Sequence, residues 1–130
     1  MFDHLEILSA RQHGLGDQAR FLVNAEDLVA GSIGSWGRGL PLPVLFPGSR
    51  PSPLRASAWP RRVRLGEPDC TGGCCGYLSA VVQRIGDVVV WSAWELPTDA
   101  GRPPEFTFEA ARYEAEVDRA EADPWWRVSG

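Results

Sequence analysis

Residues 28–66 hold six prolines, six glycines and six arginines, and not one aspartate or glutamate. Pro41, Pro43, Pro47, Pro51, Pro53 and Pro60 each fix φ and delete a backbone donor, which excludes long helix and central strand from most of this span. Leu40, Leu42, Val44, Leu45 and Phe46, with Trp36 and Trp59, lie among the breakers, and a solvated linker needs none of them. Residues 28–60 therefore read as a long, irregular, basic loop that packs across a sheet. Residues 61–65 then read as a strand with Val63 and Leu65 on one face. Regular structure must come from what precedes and follows.

Before the loop, residues 5–10 and 19–24 are apolar runs separated by the Gly- and Asp-containing stretch 13–17, the pattern of two antiparallel strands. Residues 27–30 suit a third strand or a helical turn. After the loop, residues 77–85 and 88–95 are rich in β-branched and aromatic side chains around Gly86-Asp87, a two-residue link suited to a type II′ turn. In that register Val82 faces Trp91, Ala80 faces Ala93 and Leu78 faces Glu95. Beyond a second proline-rich connection, Ala110, Tyr113, Val117 and Ala120 recur at helical spacing. The spacing predicts a helix over 107–122, with Thr107 as N-cap and Asp123-Pro124 as the stop. There is no internal repeat and no heptad pattern. With 130 residues the chain has room for one domain, 1–130. The expected fold class is α+β, a mainly antiparallel sheet or small sandwich with one C-terminal helix.

Charge narrows the partners. The formal net charge is −4, and all 13 basic residues are arginine, as GC-rich codon usage produces. An acidic chain opposes sequence-independent attraction to nucleic acid. Residues 1–64 carry eight arginines against five acids, net +3, and residues 65–130 carry five against twelve, net −7. Either the basic loop meets an acidic partner, phosphate or RNA and the acidic helix something basic, or the loop pairs with the protein's own acidic helix, or both are solvated faces. No apolar run approaches bilayer length, and the first residues include Asp3 and Glu6 without a basic stretch, so neither a membrane span nor a secretory signal is expected. The expected compartment is the cytoplasm.

Cys70, Cys74 and Cys75 are the only cysteines and fall within six residues of a glycine-rich stretch. In a reducing compartment disulfides are not the first expectation. Three thiolates on flexible glycines suit a thiophilic ion such as zinc, with His4, His13 or Asp69 as a fourth ligand. The alternatives are small side chains buried in a tight turn, and a thiol used in redox or nucleophilic chemistry. The C-x3-C-C spacing is not that of a zinc ribbon. No phosphate loop, dinucleotide fingerprint or H-E-x-x-H motif is present.

Six tryptophans are many for this length. Tryptophan and arginine dominate binding hot spots, which makes Trp36, Trp59, Arg61, Arg62, Trp125 and Trp126 the candidate partner-binding residues. With no assembled catalytic motif, the expected function is that of a non-enzymatic cytoplasmic binding protein. It would be an inhibitor or immunity-type partner of another bacterial protein. The alternative is a thiophilic-metal or redox protein centred on the cysteines.

Overall fold

Alternation at the N-terminus has the period of a strand, and it becomes one. In the computed structural model, which describes residues 2–12, 16–34, 37–68, 76–97 and 101–122, β1 (Leu5–Gln12) pairs antiparallel with β2 (Gly16–Val23). Leu5 lies opposite Val23 and Ile7 opposite Phe21, so all four side chains enter the core from one face. Asn24 and Ala25, at φ 54° and 69°, turn the chain into β3 (Glu26–Asp27). Two consecutive positive φ values are those of a type I′ hairpin turn. Asn24 is the only asparagine in the chain. Its side chain accepts from His4 N at 2.9 Å and donates to Asp3, fastening the turn to the N-terminal segment.

Residues 27–30 satisfy both expectations in succession. Asp27 ends β3 and caps α1 (Leu28–Ile33), its carboxylate accepting from Ala30 N at 3.0 Å. The expectation of irregular structure throughout 28–60 is corrected here, because α1, β4 (Gly37–Gly39) and α2 (Leu42–Leu45) all fall inside it. The prolines permit this: α1 precedes the first of them, and Pro43 occupies the first turn of α2, where a missing N–H costs nothing. At Gly39 a Cβ would sit 1.7 Å from Ala19 O, so only glycine lets β4 approach β2. Residues 46–60 contain no helix or strand but are anchored, with Phe46, Ser52 and Leu54 buried.

The second sheet runs β4-β5-β6-β7-β8, all antiparallel, with β5 (Arg61–Pro68), β6 (Leu78–Ile85), β7 (Val88–Glu95) and β8 (Phe106–Glu109). The β6–β7 hairpin turns at Gly86, φ 61°, and Val82 faces Trp91 as expected. Further on, the register departs from expectation. A bulge between Ser79 and Val81 places Ser79 opposite Glu95, so Ala80–Ala93 and Leu78–Glu95 are not partners. The extra residue is Ala93, at φ 50°. Strict alternation from Trp91 would send Trp94 to solvent, and the bulge turns it into the core instead.

The C-terminal helix α3 (Ala110–Ala122) starts later than the expected 107, because Phe106 and Phe108 extend the strand pattern and pair with Trp91 and Val89. Thr107 is therefore not an N-cap, and its N–H goes to Asp3 Oδ2 at 2.8 Å. Ala110, Tyr113, Val117 and Ala120 form the buried stripe of α3.

Two seams join the sheets. Ala19 N donates to Leu40 O at 2.9 Å beside a bridge between Gln18 and Pro41, and Asp3 bridges Phe108 at the other end. At this second seam α3 replaces a strand: Ile7 N donates to Glu116 Oε2 at 2.6 Å and Arg119 donates to Ile7 O. An ion pair on a helix thus satisfies an edge strand. At the centre Trp91, fully buried, meets Phe21, Trp94, Phe108 and Tyr113 edge to face at centroid distances of 5.2–6.2 Å. The chain is α+β with two antiparallel sheets.

Candidate partner-binding surface

Ser57 begins a strip that stays at the surface up to Arg62. Its backbone is held by three kinds of bond. Arg84 N donates to Ser57 O at 2.7 Å and Gln83 Nε2 to Ala58 O at 2.8 Å, which ties the strip to β6. The Ser57 hydroxyl accepts from Trp59 N and donates to Trp59 O, both at 3.3 Å, so both backbone polar groups of Trp59 are engaged locally. Pro60 then fixes the backbone before β5. On this rigid support the Trp59 side chain stands 81% exposed.

The arginines around it differ in their commitments. Arg55 turns to the acidic helix, 2.7 Å from Asp118 and 2.8 Å from Glu121, and hydrogen bonds to those carboxylates raise its guanidinium pKa. One arginine of the basic loop therefore pairs with the protein's own helix, as one of the charge readings expects. Arg62 donates to Ser79 Oγ at 3.1 Å and Ala93 O at 2.9 Å, with Glu95 3.4 Å away. Its guanidinium is fixed across β5, β6 and the bulge of β7, while the residue as a whole stays exposed. Arg61 is exposed, and no carboxylate among the described residues lies within ion-pair distance of it. The outer face continues with Arg64 stacked on the Tyr77 ring, 4.3 Å from its centroid.

Of the candidate partner residues, Trp59, Arg61 and Arg62 are all exposed, but β5 alternates, so Arg61, opposite buried Val82, points to the face of Val63 and Leu65 while Arg62, opposite Val81, points to the other face. Trp36, Trp125 and Trp126 lie outside the described residues, as do Cys70, Cys74, Cys75, Asp69 and His13 of the candidate metal site. His4 is described. It sits on the rim of a cleft of about 450 Å³ between the N-terminal residues and α3, most of its ring in solvent and 3.8 Å from Glu6. Among the described residues no group of three or more His, Cys, Asp or Glu side chains is gathered as metal ligands, and no helix is long and apolar enough to cross a membrane. The cleft's Asp3 and Glu116 are engaged by backbone N–H groups of Thr107 and Ile7.

Sequence reasoning did not anticipate the buried Tyr113 network. Tyr113 Oη donates to Leu54 O at 2.5 Å and accepts from Trp91 Nε1 at 3.2 Å, and burial pushes the phenol pKa well above its ordinary 10.0. With both contacts internal to the core, this phenol serves the fold. Nor was the bulge anticipated, although tryptophans three apart, at 91 and 94, cannot both face inward along a regular strand. Neither a family model, nor a curated protein, nor a solved structure matches this chain.

Proposed function

We propose that this protein acts by binding another protein through the strip at residues 57–62, as a non-enzymatic partner of the inhibitor or immunity kind in the cytoplasm. The observation that carries this reading is Trp59, an indole left in water on a backbone fixed at both of its own polar groups. Covering an indole removes roughly 200 Å² from water, worth roughly 4–5 kcal/mol of gross apolar transfer. Little ordering entropy opposes that gain, because the supporting segment is already bonded to β6. Arg61 and Arg62, exposed on the two faces at the start of β5, are the other side-chain type favoured in hot spots.

The test is paired capture from a bacterial lysate with wild-type protein and Trp59→Ala as baits, both shown to be folded. A protein retained by the wild type and lost by Trp59→Ala supports the reading. Equal recoveries on the two baits contradict it.

A further inference from the structure

Strand β5 is paired on both sides along only part of its length. β6 pairs with it from Arg61 to Gly66, whereas the short β4 reaches only Gly66, Glu67 and Pro68. Leu40 N adds one bond to Leu65 O, and the second side ends there. Among the described residues, 61–64 are therefore an open edge that continues the strip of Trp59. Alternation decides which of its backbone groups are free. Arg84 N donates to Ser57 O, so Val82 and Ala80 also turn their backbone groups to the β5 side, where Arg61 and Val63 lie opposite them. The N–H and C=O groups of Arg62 and Arg64 then point away from β6. Both residues are exposed, and no described group is hydrogen-bonded to the free side of either backbone. Their side chains fold back across the sheet, Arg62 onto Ser79 and Ala93 and Arg64 onto the Tyr77 ring, away from that edge.

We infer that the edge at Arg62 and Arg64 receives an extended segment of the partner protein as an added strand. The inference rests on the partner-binding reading of the strip and specifies its mode, main-chain bonds at Arg62 and Arg64 beside the indole of Trp59. A second copy of this chain does not fit. Pairing β5 with itself about a two-fold axis sets Arg62 or Arg64 against an arginine of the other copy, and like charges directly opposite destabilise a strand pair. Pro60 and these arginines are devices that keep an edge from its own kind. A strand of different sequence meets no such penalty. The edge is already held in extended form by β6, so little ordering opposes its pairing.

The test follows backbone amide resonances of the full-length ¹⁵N-labelled protein during titration with acetyl-Thr-Val-Thr-Val-Thr-amide, and with the same peptide methylated at every backbone nitrogen. Strand addition shifts the Arg62 and Arg64 amides more than those of Arg61 and Val63, which face β6, and the methylated peptide moves none of them. Arg64→Pro deletes one edge donor and no bond to β6, and should weaken the peptide roughly five-fold, the worth of one hydrogen bond. Arg64→Ala keeps the N–H and should bind as the wild type does. Unmoved Arg62 and Arg64 amides, equal shifts by the methylated peptide, or an Arg64→Ala as weak as Arg64→Pro overturn strand addition. They leave the strip as a side-chain surface, which the Trp59→Ala capture tests separately. Shifts of the same amides with protein concentration alone would overturn the exclusion of a second copy.

Discussion

Trp91, in β7, has no exposed surface and meets four aromatic rings, whereas Trp59, ahead of β5, keeps 81% of its surface in water. The two are held by opposite means. Trp91 is fixed through its side chain, by ring contacts and by donation from Nε1 to Tyr113 Oη. Trp59 is fixed through its backbone, by the Ser57 hydroxyl and by the bonds that tie Ser57 and Ala58 to β6. A side chain that holds the fold together cannot be removed without disturbing its neighbours. One that is merely presented by the fold can be removed and leave the fold unchanged. Stability measurements on the two regions therefore separate the structural part of the molecule from its proposed recognition surface.

The largest effect is expected at the core. Trp91→Ala removes the ring that the aromatic cluster surrounds, leaves a cavity, and should cost about 3–5 kcal/mol in urea unfolding. A loss below about 1 kcal/mol, the range of ordinary surface changes, would mean that Trp91 does not organise the core. Next is Tyr113→Phe, which leaves Leu54 O without its donor and Trp91 Nε1 without its acceptor, at about 1–3 kcal/mol. That variant also carries a pH signature. The folded phenol titrates above its ordinary 10.0, so as pH rises through that value the unfolded chain loses a proton that the folded chain keeps. Wild-type stability should fall with rising pH there, and more steeply than that of Tyr113→Phe. Parallel slopes for the two would refute the burial of this hydroxyl.

A smaller change, of opposite sign, sits at the edges of these regions. Ala93 and Ala25 adopt φ values of 50° and 69°, in the left-handed region that penalises a Cβ. Ala93→Gly and Ala25→Gly should each stabilise the protein by a few tenths to about 1 kcal/mol, after the added entropy of glycine in the unfolded chain. Destabilisation by either change would show that the methyl group is needed where it is.

Much of the framework was legible because local signals and tertiary contacts agree in it. Gly86-Asp87 between two β-branched runs placed the β6–β7 turn and the Val82–Trp91 pair. The spacing of Ala110, Tyr113, Val117 and Ala120 identified the residues that α3 buries. Where the two disagree, the local reading failed. Thr107 has the chemistry of a cap, but Phe106 and Phe108 bury themselves by continuing a strand, and that burial outweighs one capping bond. Pro43 concealed α2, since a breaker in a helix's first turn looks in sequence like one in its middle. The seams at Gln18–Pro41 and Asp3–Phe108 join residues too distant in sequence for any local pattern to reveal.

The proposed recognition surface was legible by residue type only. Trp59, Arg61 and Arg62 stood out as tryptophan and arginine beside proline, but nothing local says which arginines stay at the surface. That Arg55 is the one drawn to Asp118 and Glu121 follows from where α3 packs. The same limit applies to the tryptophans. Composition does not separate Trp59 from Trp91, and the difference lies in whether a facing aromatic cluster exists.

The most direct test of that difference is the unfolding free energy of Trp59→Ala, measured in urea against wild type. A presented side chain makes little difference to the folded state, so the expected change is within about 0.5 kcal/mol, with an unchanged denaturant slope. A loss of about 2 kcal/mol or more would show that Trp59 holds the fold together as Trp91 does, and would contradict its assignment to a binding surface.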